Sequence, residues 1–373
     1  MLAAAAALAR ERATPFYLFD AAEAARRARA WAALASGAAR IEAFYPYKCN
    51  RHPRLRAIAA EAGLGAEVTA PVDLESALAA LPGSRVVLQG PSPSSGALDR
   101  ALAAGALVGV DGPEDAEALL GRARALGASP RYLLRLRPSS ARAEQAAFGM
   151  PARGLVALAR RIVRGKGPAP EGIAFHLGTR IGSAAPFIAA VREAAGAAEA
   201  LADGGAPVRV LDVGGGFPSV LEASARRAGG GEEARRVADE VRREAARRFP
   251  AARVLAEPGR AIAADAFHLV ARVVGVRGRS VRLDASRMSH AFFVPRGRHA
   301  FLVRPLRGAT APASEIRGPL AVGLDAFSAA ERVGRPRAGD LVVIAGVGAY
   351  NLIAANEWAG SLPETVEWTD GES

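Results

Sequence analysis

The stretch Phe44-Tyr45-Pro46-Tyr47-Lys48-Cys49-Asn50 holds one of only two lysines in a chain of 373 residues; the other is Lys166, and the rest of the 49 basic residues are arginine. A chain that meets its other cationic needs with arginine has kept an ammonium at the end of an aromatic run. A guanidinium stays protonated, whereas an ammonium can lose its proton near neutrality and condense with an aldehyde. Lys166, in Arg164-Gly165-Lys166-Gly167, reads as a surface residue. Other reactive types recur close to short apolar runs: Glu67 with Asp73 beyond it, Arg135 and Arg137, His176 in Phe175-His176-Leu177-Gly178-Thr179, Gly214-Gly215-Gly216 after Leu211-Asp212-Val213, and Glu257-Pro258-Gly259-Arg260. A glycine triplet after a strand either makes a tight turn or presents backbone N–H groups to phosphate oxygens. Arg260 and Thr179 add a cation and a hydroxyl suited to the same phosphate. Glu257 suits two tasks, a local ion pair with Arg260 or a partner that keeps a ring nitrogen protonated and makes that ring an electron sink. His176 reads as a structural strand-end histidine or as a group stacked on such a ring.

These residues need elements to bring them together, and the chain supplies a rhythm. After a first helix ending near Ala13 and a strand in Thr14–Asp20, Ala21–Ser36 is helical with Gly37 as its stop. Eight strand candidates follow: Glu42–Tyr47, Ala66–Val68, Arg85–Gln89, Ala106–Val110, Tyr132–Leu136, Gly172–His176, Val208–Val213 and Arg253–Ala256. Alanine-rich helical segments separate most of them. Eight β-α units over this length predict a parallel barrel, in which reactive groups collect at the C-terminal ends of the strands. A doubly wound open sheet is the alternative, but its opening glycine fingerprint is missing. Beyond Arg260 the rhythm changes to closely spaced strands, including His268–Val276, Ser280–Leu283 and Leu341–Ile344, which predicts a mostly antiparallel β-domain. The expected fold class is therefore α/β, a (β/α)8 TIM-type barrel over 22–262 with a C-terminal β-domain formed by 1–21 and 263–373. Gly229-Gly230-Gly231 reads as a loop between two helices, and the acidic tail after Pro363 as frayed.

Composition narrows the class. Hydrophobic residues make up 50% and charged residues 23%, ordinary for a soluble enzyme. One cysteine excludes an internal disulfide framework and fits a reducing compartment, so a cytoplasmic location is expected. The net charge of +12 is spread as pairs along helices, such as Arg26-Arg27, Arg160-Arg161 and Arg235-Arg236, without a compact basic block carrying aromatics. That pattern argues for solvated faces rather than nucleic-acid binding, while leaving acidic substrates or an acidic partner protein favoured. Met1–Leu8 has no basic residue before its apolar run and is too short for a secretory signal, and no apolar segment approaches a membrane span.

Taken in order, Pro15-Phe16-Tyr17, Tyr45-Pro46-Tyr47-Lys48-Cys49-Asn50, His176-Leu177-Gly178-Thr179, Gly214–Phe217, Glu257–Arg260, Gly318-Pro319-Leu320-Ala321 and Gly348-Ala349-Tyr350 resemble the motifs of the fold-type III pyridoxal-phosphate decarboxylases, the family of ornithine, diaminopimelate and related amino-acid decarboxylases. The resemblance covers nearly the whole chain. It implies an alanine-racemase-like barrel with a β-domain, and pyridoxal 5′-phosphate as cofactor. It implies that Lys48 carries the cofactor aldehyde as a Schiff base, that His176 stacks on the ring, and that Glu257 pairs with the pyridine nitrogen. Gly214, Gly215, Gly216, Thr179, Gly259, Arg260 and Tyr350 would hold the cofactor, chiefly at its phosphate. An obligate homodimer, each site completed by the partner's C-terminal domain, is implied as well.

The chain departs from the family pattern at three places. The family cysteine that helps protonate the α-carbon is Ala321, the acid that follows it in diamine-specific members is Val322, and the lysine of the family S-K-F-G loop is Ala147. Asp325, a later family aspartate, remains. Without the acid at 322 a distal ammonium lacks its counter-charge, which argues against ornithine, lysine or arginine as substrate. Arg135, Arg287, His290 and Asp325 are the substrate-side candidates, and Arg287, with Arg296 and Arg298 nearby, favours a distal carboxylate or phosphate. The expected reaction is decarboxylation of an amino acid, with no metal. The alternatives are a substrate tethered to a carrier protein in a specialised biosynthetic pathway, a changed fate of the carbanion such as racemisation, elimination or oxidative deamination, and a homologue that binds the cofactor without catalysis.

Overall fold

The computed structural model describes residues 1–37, 40–221, 230–289, 300–304, 314–331 and 335–368. They form two compact units: Arg27–Lys48 with Arg56–Ala261, and Met1–Arg26 with Cys49–Leu55 and Ile262–Ser373. The short segment Cys49–Leu55, which the sequence placed inside the barrel, belongs to the second of these.

The first unit is a closed barrel of eight parallel strands. They are β2 (Glu42–Pro46), β3 (Gly65–Val68), β4 (Val86–Leu88), β5 (Leu107–Val110), β6 (Arg131–Leu136), β7 (Gly172–Phe175), β8 (Val210–Asp212) and β9 (Arg253–Ala256). Each pairs with its successor, and β9 returns to β2 through Glu42↔Leu255 and Ala43↔Ala256. Seven of the strands contribute one side chain each to a buried layer of Phe44, Val87, Leu107, Leu133, Ala174, Val210 and Leu255, so the barrel interior is a packed core. All eight strands lie where the sequence placed them, a residue or two shorter at several ends. As a result Lys48, His176 and Gly214 fall on the loops just past their strands.

Local signals set the helices between. The helix α5 (Ser95–Ala104) starts at Ser94, whose side chain accepts from the Ala97 N–H, and stops at Gly105 with φ +67°. The helix α6 (Pro113–Leu126) opens on proline followed by Glu114 and Asp115 and closes at Gly127 with φ +62°. In α7 (Ala152–Arg164), Leu155, Val156, Leu158, Ala159 and Ile162 form the buried face. Two readings change. Asp73 lies in the first turn of the helix α4 (Pro71–Ala80) rather than on a loop, and Arg56 pairs with it at 2.8 Å. Gly230 and Gly231 open the helix α9 (Gly230–Arg248) instead of belonging to a loop, while Gly229 lies outside the described residues. Along α9 the arginines meet carboxylates one turn away, as in Arg236 with Glu240 and Arg247 with Glu244, the expected form of a solvated charged face.

The second unit carries an eight-stranded sheet among its described residues. Its strands are β1 (Phe16–Asp20), β10 (Phe267–Arg277), β11 (Ser280–Leu283), β12 (Ala300–Arg304), β13 (Ser314–Arg317), β14 (Ala326–Glu331), β15 (Leu341–Ala345) and β16 (Glu364–Trp368). Pairing is antiparallel except for β1 with β16 and β11 with β13. The helix α1 (Leu2–Glu11) packs Ala5 and Ala9 against Phe16, Leu18, Val270, Val343 and Val366. The tail after Pro363 is thus not frayed at Glu364–Trp368: those residues lie beside β1, with Phe16 opposite Glu364, and Val366 reaches the core. No described helix is long and apolar enough to cross a membrane.

Candidate active site

The polypeptide leaves β2 through Tyr47, whose N–H donates to the Glu67 carbonyl at 2.9 Å and whose ring lies under the Arg56 guanidinium at 4.3 Å. That anchoring fixes the start of the Lys48 side chain. Its Nζ donates to Glu67 Oε1 at 2.5 Å. Glu67 is fully buried, and its second oxygen has no hydrogen-bond partner among the described residues. Burial pushes the Glu67 carboxyl up to about 7; the Lys48 charge opposes this shift and the nearby Glu257 adds to it. For Lys48, burial favours the neutral amine, but the charges of Glu67 and Glu257 outweigh it and hold the ammonium above its ordinary value. The amine therefore rests as a cation, and Glu67 is the carboxylate in contact with its proton.

A consequence for stability follows. Folding raises the Glu67 pKa from 4.5 to about 7, so the folded state binds that proton more tightly than the unfolded chain. The resulting stability is complete below about pH 4.5 and is lost as pH rises through about 7. Glu67→Gln is expected to make the fall in cofactor-free unfolding temperature over that window shallower. An unaltered slope would assign the pH dependence to other groups.

Glu257, just past β9, meets a second buried carboxylate. Asp212 ends β8 with no exposed surface, and Glu257 is nearly as buried. The Gln89 amide, past β4, donates to both: Nε2 lies 3.2 Å from Asp212 Oδ2 and 3.1 Å from Glu257 Oε1. Burial, then the charge of Asp212, raises Glu257 well above the usual carboxylate range; burial raises Asp212 as well. Both shifts favour a proton held by the pair.

The glycine run joins this pair to His176. The Gly214 N–H donates to Asp212 Oδ1 at 2.9 Å, and its carbonyl accepts from the Glu257 N–H at 2.9 Å. The Gly215 N–H donates to His176 Nδ1 at 3.1 Å. Burial, with the charges of Lys48 and Arg135, takes His176 down to about 3, so its ring is neutral and carries its hydrogen on Nε2. Gly214 and Gly216 have φ of +66° and +96°, and a Cβ on Gly214 would run into the Phe175 carbonyl oxygen. A Cβ on Gly215 would sit 2.7 Å from the Glu257 carbonyl oxygen. Glycine is thus required where the loops after β7, β8 and β9 come together. Arg260 donates from Nε to Thr179 Oγ1 at 2.8 Å, and the Gly259 N–H closes a turn on the Glu257 carbonyl at 2.9 Å.

A cavity of about 260 Å³ opens here, lined by Lys48, Thr69, Gln89, Gly90, Pro91, Arg135, Gln145, Phe148, Ala174, Phe175, His176 and Glu257. Arg135 donates to Asp111 at 3.0 Å and to Gln145 at 3.2 Å, and its guanidinium lies 5.0 Å from the Phe148 ring centroid. The barrel thus brings together Lys48, His176, Glu257 and Arg135, with Gly214–Gly216 bonded to two of them. It also places Gln89 and Asp212 there, which the sequence reading did not select. An acid between Leu211 and Val213 in an apolar strand was the available signal for Asp212; Gln89 gave none.

The remaining candidates lie in the β-domain unit. The Tyr350 N–H donates to the Cys49 carbonyl at 2.8 Å, and its φ is +65°. Asp325 is fully buried and accepts from Ser286 Oγ, the Arg287 N–H and the Leu320 N–H at 3.0, 2.7 and 2.9 Å. Its carboxylate therefore pins two loops of its own domain together, and Arg287 is itself buried. His290, Arg296 and Arg298 lie outside the described residues. Among the described residues no group of three or more His, Cys, Asp or Glu side chains is placed to hold a metal ion.

An amine, an acid and a neutral imidazole line one cavity, with a glycine turn bonded to two of them, a set whose chemistry suits an aldehyde-bearing heteroaromatic phosphate. The comparison with known families agrees: residues 21–264 match the model of the pyridoxal-dependent decarboxylase, pyridoxal binding domain. The chain belongs to this family of pyridoxal-phosphate-dependent amino-acid decarboxylases. It is 31% identical to a diaminopimelate decarboxylase of Deinococcus radiodurans, over 95% of this chain and 90% of that protein. Among solved structures it resembles diaminopimelate decarboxylase from Helicobacter pylori complexed with L-lysine, with a TM-score of 0.82 at 21% identity over 97% and 93% of the two chains. It also resembles a lysine/ornithine decarboxylase from Vibrio vulnificus complexed with putrescine, with a TM-score of 0.82 at 21% identity over 97% and 96%.

Proposed function

We propose that this enzyme removes the α-carboxylate from an amino acid carrying a distal carboxylate, the class to which diaminopimelate belongs, rather than from lysine, ornithine or arginine. The cavity wall carries the substrate part of this reading. Among the described residues, the side chains that line it include no carboxylate apart from Glu257, whereas Arg135 brings a guanidinium with two of its five N–H groups engaged by Asp111 and Gln145. A distal ammonium finds no partner on that wall; a distal carboxylate finds Arg135. Val322 in place of the acid found in diamine-specific members points the same way.

Each residue then has a task. Lys48 supplies the primary amine that holds the cofactor aldehyde, and Glu67 takes or returns the proton on Nζ. His176, neutral and fixed by the Gly215 N–H, offers a flat uncharged face to the ring. Gly214–Gly216, Thr179 and Arg260, with Gly259 shaping the turn and Tyr350 from the β-domain, hold the phosphate. When bound, the cofactor supplies an electron sink for the pair released as CO2 leaves. Glu257 keeps the ring nitrogen protonated, which deepens that sink. With Ala321 where the family has cysteine, the proton that returns to the α-carbon comes from Lys48, His290 or water. The functional unit in this reading is a cytoplasmic homodimer in which Arg287, His290 and Asp325 belong to the substrate side of the site. An acidic carrier protein as the substrate's bearer is the remaining form of the proposal, supported by the net charge of +12.

The test is a panel of free amino acids scored by CO2 release and by change in the visible spectrum. Amino acids with a distal carboxylate are expected to exceed lysine and ornithine by about 10²-fold in kcat/KM, the scale of one well-formed charge-assisted contact. Faster turnover of lysine or ornithine would overturn the assignment of Arg135. No CO2 from any member, with a spectrum that still responds to amines, would overturn decarboxylation in favour of another fate of the same carbanion.

A further inference from the structure

We propose that Gln89 and Asp212 form a positioning unit for Glu257, in which one bridging amide holds the two carboxyl groups together around a single shared proton that Glu257 presents to the ring nitrogen of the cofactor. The inference rests on the reading of Glu257 given above and extends it to two residues with no place in that reading.

The geometry is closed on every side. Asp212 is tied through one oxygen to the Gly214 N–H and through the other to Gln89; Glu257 is tied through its side chain to Gln89 and through its N–H to the Gly214 carbonyl. The Gly214 peptide units thus bond to both acids, so the turn assigned to the phosphate and the pair assigned to the ring nitrogen move together. The Gln89 carboxamide has a built seat: a Cβ on Gly109, in β5, would overlap Gln89 Oε1. Glycine inside a strand weakens it and marks a close approach. Here the group that approaches is the bridging amide.

Two buried carboxylates this close do not both ionise without a counter-charge. The ionisable groups around Glu257 are Asp212 on β8, Lys48 past β2 and Glu67 on β3; Arg135 on β6 acts on Lys48 and Glu67, and His176 past β7 is neutral. Lys48 is the cation whose charge acts on Glu257, and Glu67 already holds it. The pair therefore keeps one proton. With the cofactor bound, Glu257 would give that proton to the ring nitrogen, its O–H bond breaking as the N–H bond forms, so that both acids would be ionised beside the protonated ring and nothing else would be consumed. Gln89, able only to donate through its nitrogen, stabilises that doubly ionised state and keeps Glu257 aimed.

The experiment titrates cofactor-free protein with pyridoxamine 5′-phosphate, which has no aldehyde, so that the Lys48 amine does not enter the reading. Affinity is followed by fluorescence from about pH 6 to about pH 9, a span that brackets a raised carboxyl pair. Wild-type affinity is expected to fall as pH rises and the pair loses its proton. Asp212→Asn removes a charge beside Glu257 and is expected to move that midpoint down by about one unit; Gln89→Glu adds a charge and is expected to move it up by about one unit. Shifts of opposite sign are not what mere loosening of the fold produces. Gly109→Ala, which displaces the amide while leaving both acids, is expected to weaken binding about 10-fold, and it stands in should either of the others fail to fold. Equal midpoints in all proteins that bind the probe would overturn the positioning unit alone. Absence of saturable binding of both this probe and pyridoxal phosphate to the wild type would overturn the underlying reading instead.

Discussion

Lys48→Ala is expected to abolish the visible absorbance that pyridoxal phosphate gains when a protein amine holds it, and to lower decarboxylation by on the order of 10⁴-fold or more. The expectation is unusually clean in this chain because only one other lysine exists. Lys166 sits exposed at the end of α7 with φ +60°, and Lys166→Ala is expected to leave spectrum and rate as they are. Loss of the band in the first variant and its retention in the second would assign the covalent bond without mass spectrometry. Substitution also strands Glu67, whose one hydrogen-bonded oxygen faces Nζ in a fully buried site. Burial then acts on that carboxyl without a cation to oppose it, so its pKa rises further and the group enters the variant as a neutral acid. The variant should therefore fold and still bind the phosphate end of the cofactor through the glycine turn. A visible band that survives in Lys48→Ala would remove the foundation of the reading.

What the sequence made legible, and what it did not, divides along distance in the chain. The barrel strands were recoverable because each is a short apolar run between helices with their own start and stop residues, all signals within a few positions. That Lys48, His176, the glycine turn and Glu257 come together was recoverable because each sits beside such a strand end, and the barrel brings those ends to one face. Gln89 and Asp212 are 123 residues apart and acquire a role only when β4 and β8 face each other across the barrel. Nothing near Gln89 marks it, since a glutamine past a strand is an ordinary turn residue. The strand β16 was missed for the same reason: an acidic, proline-preceded tail resembles a frayed end until β1, from the other end of the chain, lies alongside it. Asp73 erred the other way, because an acid shortly after a strand fits a barrel-top loop as well as the first turn of a helix, and Pro71 at the helix start was the deciding signal.

Glu257→Ala is expected to separate loading from turnover. The phosphate contacts, the Lys48 amine and His176 are untouched, so the visible band should still form, at a cofactor concentration raised about 10-fold by loss of the ring-nitrogen contact. Turnover should fall about 10² to 10³-fold in kcat with little change in KM, the pattern of an interaction that matters as charge moves into the ring. The Gln89 bridge sharpens the expectation. With Glu257 gone, Asp212 keeps its bonds to Gln89 and the Gly214 N–H and loses the acid that shares the Gln89 amide with it. Its carboxylate is then a fixed acceptor deep in the barrel, one strand over from the lost oxygen. Steady-state kinetics on Glu257→Ala and on the double variant with Asp212→Asn distinguish the possibilities. If Asp212 serves only to hold Glu257, the double variant is no slower than the single one. If the double variant loses a further factor of about 10 or more, Asp212 has been reaching the ring nitrogen in its partner's absence, and the two acids share one task.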